Sequence, residues 1–252
     1  MNNSERANYV SAWNDVIEAC FIDIIKYMPD VYKEIDVELP YEFLNQDFQE
    51  IRRDIEMIGE YTSKLVRVWL NQEKEDWILL HLHVQAEYFE DLPGKMFIHS
   101  GRIFQHFKQH SLTIVILCDE DKNWRPDEFS HGHEAFGTVL RFRFGNLKLL
   151  DFNSSSRWQE LEKSDNLFAN VIMAHLKALE TLQAPQQRKI WKTKLTHRLY
   201  EKGLEEQDIR NLYKFIDKAL ILPEPLEKEF WEELKQFESE LNVTYITKET
   251  LD

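Results

Sequence analysis

The residues whose types and spacing suit them best for chemistry lie in the run LLHLHVQ, residues 79–85, where His81, His83 and Gln85 recur at every second position. Alternate side chains of an extended strand share one face, so two imidazoles and a carboxamide would stand together on one side of a sheet. Arg67, from the preceding apolar run, would stand near them. A neutral imidazole nitrogen is a ligand for Zn²⁺ and similar ions and a proton acceptor near neutral pH. A second His-x-His pair, His131 and His133, falls in a polar stretch with no acid or thiol at ligand spacing. Neither pair has the cysteine partners of a structural zinc site, so ordinary hydrogen-bonded histidines are the expectation and no metal ligand is assigned. The segment RKIWKTKLTHR concentrates Arg188, Lys189, Lys192, Lys194 and Arg198. On a helix these side chains would form either a phosphate-contacting face or a solvated face opposite Ile190, Trp191, Leu195 and Leu199, and both readings stay open. Phosphate-binding loops, dinucleotide fingerprints and nucleophile elbows need glycines at set positions. With only 7 glycines the chain shows none of these patterns.

The elements that must position these groups follow from periodicity. Trp13, Val16, Ile17, Cys20, Ile24 and Tyr27 recur at helical spacing and predict an amphipathic helix ending before Pro29. After a loop-rich stretch with Pro40, TSKLVRVWLNQEKEDWILLHLHVQA reads as two strands joined by the polar NQEKED, a hairpin. GKMFIHSGRIFQHFKQH predicts a helix with Met96, Phe97, Phe104 and Phe107 on its apolar side, and LTIVILC predicts a buried strand. The stretch DEDKNWRPDEFSHGHEAFG is read as irregular, and TVLRFRFGNLKLLDF as a further strand. Beyond the turn at 153–156, five helices are predicted in 157–161, 166–182, 187–201, 205–221 and 224–241, punctuated by Pro185, Gly203 and LPEP. The predicted architecture is therefore α/β, a mixed sheet flanked by helices over residues 10–152, with a helical C-terminal extension over 153–252.

Composition narrows the function classes. The 252 residues include 43% hydrophobic and 13% aromatic side chains, enough for a sizeable core. The longest apolar run, Leu112–Cys118, is far short of the roughly 18 residues that suggest a membrane span, and the polar start lacks a secretory signal. Cys20 and Cys118 cannot build a disulfide framework. A cytoplasmic protein with no membrane partner is the expectation. A net charge of -14 argues against coating nucleic acid by bulk electrostatics. The acidity is concentrated in residues 1–62 and 201–252, leaving a near-neutral middle in which a local DNA contact is conceivable.

Several separate blocks, in order, resemble the recombination-promoting nuclease (Rpn) family, also called YhgA-like transposases, of the PD-(D/E)XK nuclease superfamily. The similarity is greatest to its cyanobacterial-type members. The blocks are YEFLNQDFQEI (41–51), KLVRVWL (64–70), LLHLHVQ (79–85), GRIF (101–104), NWRPDEF (123–129) and LRFRF (140–144), followed by AHLKALET, LYEKG, FIDKALILPEPLE and YIT. The resemblance implies a restriction-endonuclease-like fold and a Mg²⁺-dependent DNA endonuclease linked to recombination or mobile elements. In such a family the first strand of the hairpin opens with aspartate and the second carries glutamate, a spacer and glutamine. Two carboxylates hold the ion, which activates water against the phosphodiester. Carried onto this chain, those positions are Ser63, His83 and Gln85, so both carboxylates are replaced. The expectation is a nuclease-type protein whose cleavage is weakened or lost. The rivals are a non-enzymatic DNA-binding or protein-interaction module on the same fold, and an active enzyme using Glu18 or Glu87 as relocated acids. Self-association into a homo-oligomer is left open.

Overall fold

The structure, a computed structural model, describes residues 3–52, 61–71 and 76–247; most of the predicted NQEKED connection lies outside the described residues. The chain divides into two compact units. One runs from Ile24 to Lys148, and the other joins the segment up to Asp23 to the segment from Leu149 onward. The predicted single unit over 10–152 differs from this division at its start, because the first helix groups with the C-terminal helices. The later boundary falls four residues before the predicted one.

The α/β unit is built on a five-stranded mixed sheet flanked by helices. In chain order its elements are α3 (Pro29–Tyr32), β1 (Glu42–Phe43), α4 (Asn45–Arg52), β2 (Tyr61–Trp69), β3 (Trp77–Gln85), α5 (Leu92–Phe107), β4 (Ser111–Leu117), β5 (Glu128–His133), β6 (Thr138–Arg143) and β7 (Gly145–Lys148). They follow α1 (Asn3–Ala19) and α2 (Phe21–Ile25), which break the single helix predicted over 13–27 just after Ala19. The sheet order is β1-β2-β3-β4-β7. β1, β2 and β3 run antiparallel, whereas β4 is parallel to β3 and β7 parallel to β4. A parallel neighbour demands a crossover, and α5 supplies it. Pro93 stands in its first turn, and Lys108, at φ 55°, turns the chain out of the helix towards β4.

β3 is the central strand. From Leu79 to Gln85 every residue is buried, as a strand with parallel and antiparallel neighbours and both faces covered should be. α5 and α4 cover the face that carries Leu79, His81, His83 and Gln85. At one end of that face Ile103 packs with Leu44, Phe48, Ile51, Leu65 and Leu79. At the other, Leu92 and Met96 pack with Val115, Leu117 and Phe144. The buried stripe of α5 is thus Leu92, Met96, His99 and Ile103, while Phe104, predicted to be on it, is exposed.

The stretch predicted to be irregular contains β5, which pairs with β6 in a separate two-stranded sheet. The predicted strand over 138–152 accordingly splits into β6 and β7, which belong to different sheets. Aromatic packing is the physical reason: Phe129 and Phe142 are cross-strand partners, and both meet Phe97 of α5, the Phe129 ring stacking on it at 5.0 Å. Arg141 and Arg143 point the other way and pair with Glu128 and Asp127. Gly137, at φ 66°, closes the hairpin where a side chain would be strained.

The helical unit contains α1, α6 (Ser155–Lys163), α7 (Phe168–Glu180), α8 (Pro185–Glu201), α9 (Glu206–Ala219) and α10 (Glu224–Leu241). The five C-terminal helices correspond to the five predicted ones. Trp13 of α1 sits edge-on to Phe215 of α9 at 5.0 Å and beside Phe168 of α7, and the Tyr9 hydroxyl is bonded to His175 at 2.6 Å. Among the described residues no helix is long and apolar enough to cross a membrane. Cys20 and Cys118 are buried free thiols whose ionisation burial pushes upward, so they behave as small core side chains.

The parallel edge is tied by a buried ion pair: Lys148 Nζ of β7 donates to Asp119 Oδ1 just past β4 at 2.5 Å, with both side chains at most 4% exposed. Removing one partner of such a pair strands the other charge in a dry interior, a loss of about 3–5 kcal/mol. Lys148→Met is expected to lower stability in urea denaturation by that order. Adding Asp119→Leu to it is expected to recover most of the loss.

Candidate functional site

Ser63 of β2 and His83 of β3 are register partners across the hairpin, and the structure brings Ser63, His83 and Gln85 into one network. Gln85 donates its amide Nε2 to the Glu87 carbonyl at 2.9 Å, which turns its Oε1 toward His83 Nε2 at 3.1 Å. A carboxamide oxygen only accepts, so His83 carries its proton on Nε2, and Nδ1 accepts from the Ser63 hydroxyl at 2.7 Å. Burial holds this imidazole neutral: His83 is fully buried, and its proton affinity is pushed well below the ordinary histidine range, first by burial, then by the charges of Lys95, His81 and His99.

The network belongs to a longer buried polar file between the two apolar clusters. His81, two residues before His83, lies on the same face, with its ring 5.3 Å from Phe48. His99 approaches from α5, its Nδ1 3.5 Å from His81 Nε2, and the ligating nitrogens of His81, His83 and His99 all lie within 4.8 Å of one another. Lys95 stands one turn before His99 and is also buried, its ammonium 5.4 Å from the centre of the Phe89 ring. Thr113, the β4 register partner of His81, adds a buried hydroxyl.

Sequence reasoning missed His99 and Lys95. The available signal was the spacing Met96, His99, Ile103, which sets a histidine on the apolar stripe of a helix. It was masked by taking Phe97 and Phe104 as stripe residues. His131 and His133 lie on the exposed β5 and do not join the file.

The two relocated-acid candidates are both exposed. Glu18 is exposed on α1, in the helical unit. β3 ends at Gln85, so Glu87 stands exposed beyond the strand, and its backbone carbonyl is what enters the network. Nor does the Ser–His–Gln series resemble a hydrolytic triad in function. A carboxamide cannot balance an imidazolium, and Ser63, 4% exposed, is closed to a substrate.

The five cations of α8 are internal ties and do not make a free cationic face. Arg188 donates to Thr181 Oγ1 and to the carbonyls of Ala178 and Ile221. Lys189 pairs with Glu229 and Glu233. Lys192, with a side chain only 1% exposed, pairs with Asp217 and Glu227 over the Phe230 ring. Arg198 bonds Asn170 and the carbonyls of Leu161, Glu162 and Ser164. Only Lys194, paired with Glu162, keeps a largely exposed side chain.

Comparison of the chain with protein-family models, with curated proteins and with solved structures gives no match. The candidate site therefore has to be read from its own residues.

Because His83 binds its proton less readily folded than unfolded, the unfolded state takes up more protons below about pH 6.5. The stability this group contributes is complete above that value and is lost as pH falls through it. With a chelator present, the thermal midpoint is expected to fall between about pH 7.5 and about pH 5.5, and His83→Gln is expected to flatten that slope. Equal slopes in both proteins would assign the acid sensitivity to other groups.

Proposed function

We propose that this chain is a non-cleaving member of the Rpn family of the PD-(D/E)XK superfamily, using the nuclease fold as an interaction module and not as a Mg²⁺-dependent endonuclease. The observation that carries the reading is the pairing of Ser63 with His83, register partners joined at 2.7 Å at the two positions the resemblance assigns to metal-binding acids. The mixed sheet with its antiparallel β2–β3 hairpin, and Gln85 on the same face as His83, fit the architecture that the family reading requires.

The donor set does not suit Mg²⁺. That ion demands hard oxygen ligands in near-octahedral geometry, whereas the file offers imidazoles, two hydroxyls and one carboxamide, with the Lys95 ammonium nearby. Ser63, His83 and Gln85 are each at most 4% exposed, which closes them to a phosphodiester. The engagement of the α8 cations by their own unit, together with the net charge of -14, favours a protein partner over a DNA backbone. On this reading the association with recombination or mobile elements comes through the family, and the cleavage chemistry is what has been given up.

Plasmid nicking with Mg²⁺ or Mn²⁺ is expected to be absent, and robust nicking abolished by Glu18→Gln or Glu87→Gln would overturn the proposal. The double change Ser63→Asp with His83→Glu is expected to restore two hard oxygen ligands beside Gln85 and to raise the thermal midpoint when Mg²⁺ is added, since an ion bound only by the folded state stabilises it. A doubly changed protein that folds yet ignores Mg²⁺ would mean that the surrounding groups no longer form a nuclease site.

A further inference from the structure

We propose that His81, His83 and His99 form a site for one zinc-class divalent ion that clamps the central strand β3 to helix α5. The site stands on its own geometry, whether or not the nuclease reading holds. Among the described residues these three side chains are the one group of histidine, cysteine or carboxylate ligands close enough to share an ion, and all three are at most 1% exposed.

The spacing suits such an ion. Zn–N bonds of about 2.0–2.1 Å in a tetrahedron hold the nitrogens about 3.3 Å apart. His99 Nδ1 and His81 Nε2 stand at 3.5 Å, near that separation and long for a hydrogen bond. His83 completes the group within 4.8 Å, so a shift of its ring by an ångström or so closes the site.

The surroundings also fit. A ligating imidazole normally keeps its second nitrogen on a hydrogen-bond partner, which fixes its orientation. His83 has one ready on either side: with the metal on Nε2, Nδ1–H donates to Ser63 Oγ, and with the metal on Nδ1, Nε2–H donates to Gln85 Oε1. In the first case Gln85 Oε1, 3.1 Å from Nε2, is also placed to supply a fourth, oxygen ligand. Nitrogen donors select Zn²⁺ and its neighbours over Mg²⁺ and Ca²⁺. Lys95 opposes any cation here, so the ion must be held by coordination bonds and not by charge. The chemistry is structural: the ligands come from two elements, the site is closed, and no reactant can approach it.

The test is to refold the full chain with Zn²⁺, dialyse it and measure bound metal, together with the thermal midpoint in Zn²⁺, Mg²⁺ or chelator. About one Zn²⁺ per chain is expected, with a midpoint raised by Zn²⁺, unchanged by Mg²⁺ and lowered again by the chelator. Co²⁺ is expected to give the intense visible bands of a tetrahedral nitrogen site. His99→Gln should weaken Zn²⁺ binding by more than the roughly 10–100-fold that loss of an outer hydrogen-bond partner costs. Lys95→Met removes the opposing charge without touching a ligand, and is expected to tighten binding. If His99→Gln does not fold, the Co²⁺ spectrum and the Lys95→Met shift decide. A chain that refolds without retaining Zn²⁺ overturns the assignment. So does Zn²⁺ bound with an affinity that neither change alters, because the ion then sits elsewhere.

Discussion

The rest of the α/β unit is arranged around the requirement that a file of polar side chains be satisfied in a dry interior. An imidazole or a carboxamide moved from water into apolar surroundings loses hydration worth a few kcal/mol unless each donor and acceptor finds a partner. For His83 and Gln85, on the α5-covered face of β3, the partners are close at hand. Ser63 is there because the antiparallel register sets it opposite His83, and Gln85 is oriented because Glu87 accepts from its amide where the strand ends. His99 meets His81 because α5 crosses that face on its way to the parallel strand β4. A one-residue slip in the β2–β3 register would carry Ser63 and the histidines to opposite faces and undo the whole network.

Two apolar clusters hold the file in place from either end. Ile103 with Phe48 and Leu65 at one end, and Met96 with Val115 and Leu117 at the other, seal α5 against the sheet and keep water from the imidazoles. This explains why His83 remains neutral and why its neighbours are selected for nitrogen and amide chemistry. A pair of carboxylates at the same depth would need a counter-ion, and without one they would repel. Ser63, His83 and Gln85 instead close their part of the file by hydrogen bonds, and the three histidines present nitrogen donors.

The same economy of partners governs the helical unit. An acidic chain would be expected to display its cations outward, yet Arg188, Lys189, Lys192 and Arg198 turn inward to meet carbonyls and carboxylates of α6, α7, α9 and α10. Lys192 is the clearest case, with its alkyl stem buried and its ammonium shared between Asp217 and Glu227 over an aromatic face.

What the sequence determined by itself is what local periodicity carries. The period-2 run from Leu79 to Gln85 put His81, His83 and Gln85 on one face, the separation of the two β-runs announced the hairpin, and the 3.6-residue stripes with their proline stops marked the five C-terminal helices. Periodicity says which face a side chain occupies and is silent about what covers that face. Only tertiary packing could bring His99 across from α5, rotate that helix so that Phe104 is exposed while His99 is buried, and group α1 with the helices that follow Leu149. Only packing could set β5 and β6 apart from the main sheet, because the contact of Phe129 and Phe142 with Phe97 joins residues that no local window contains. Likewise, the cations of α8 looked available because their partners lie outside that helix, as far as 44 residues away along the chain, beyond the reach of any reading of one helix alone.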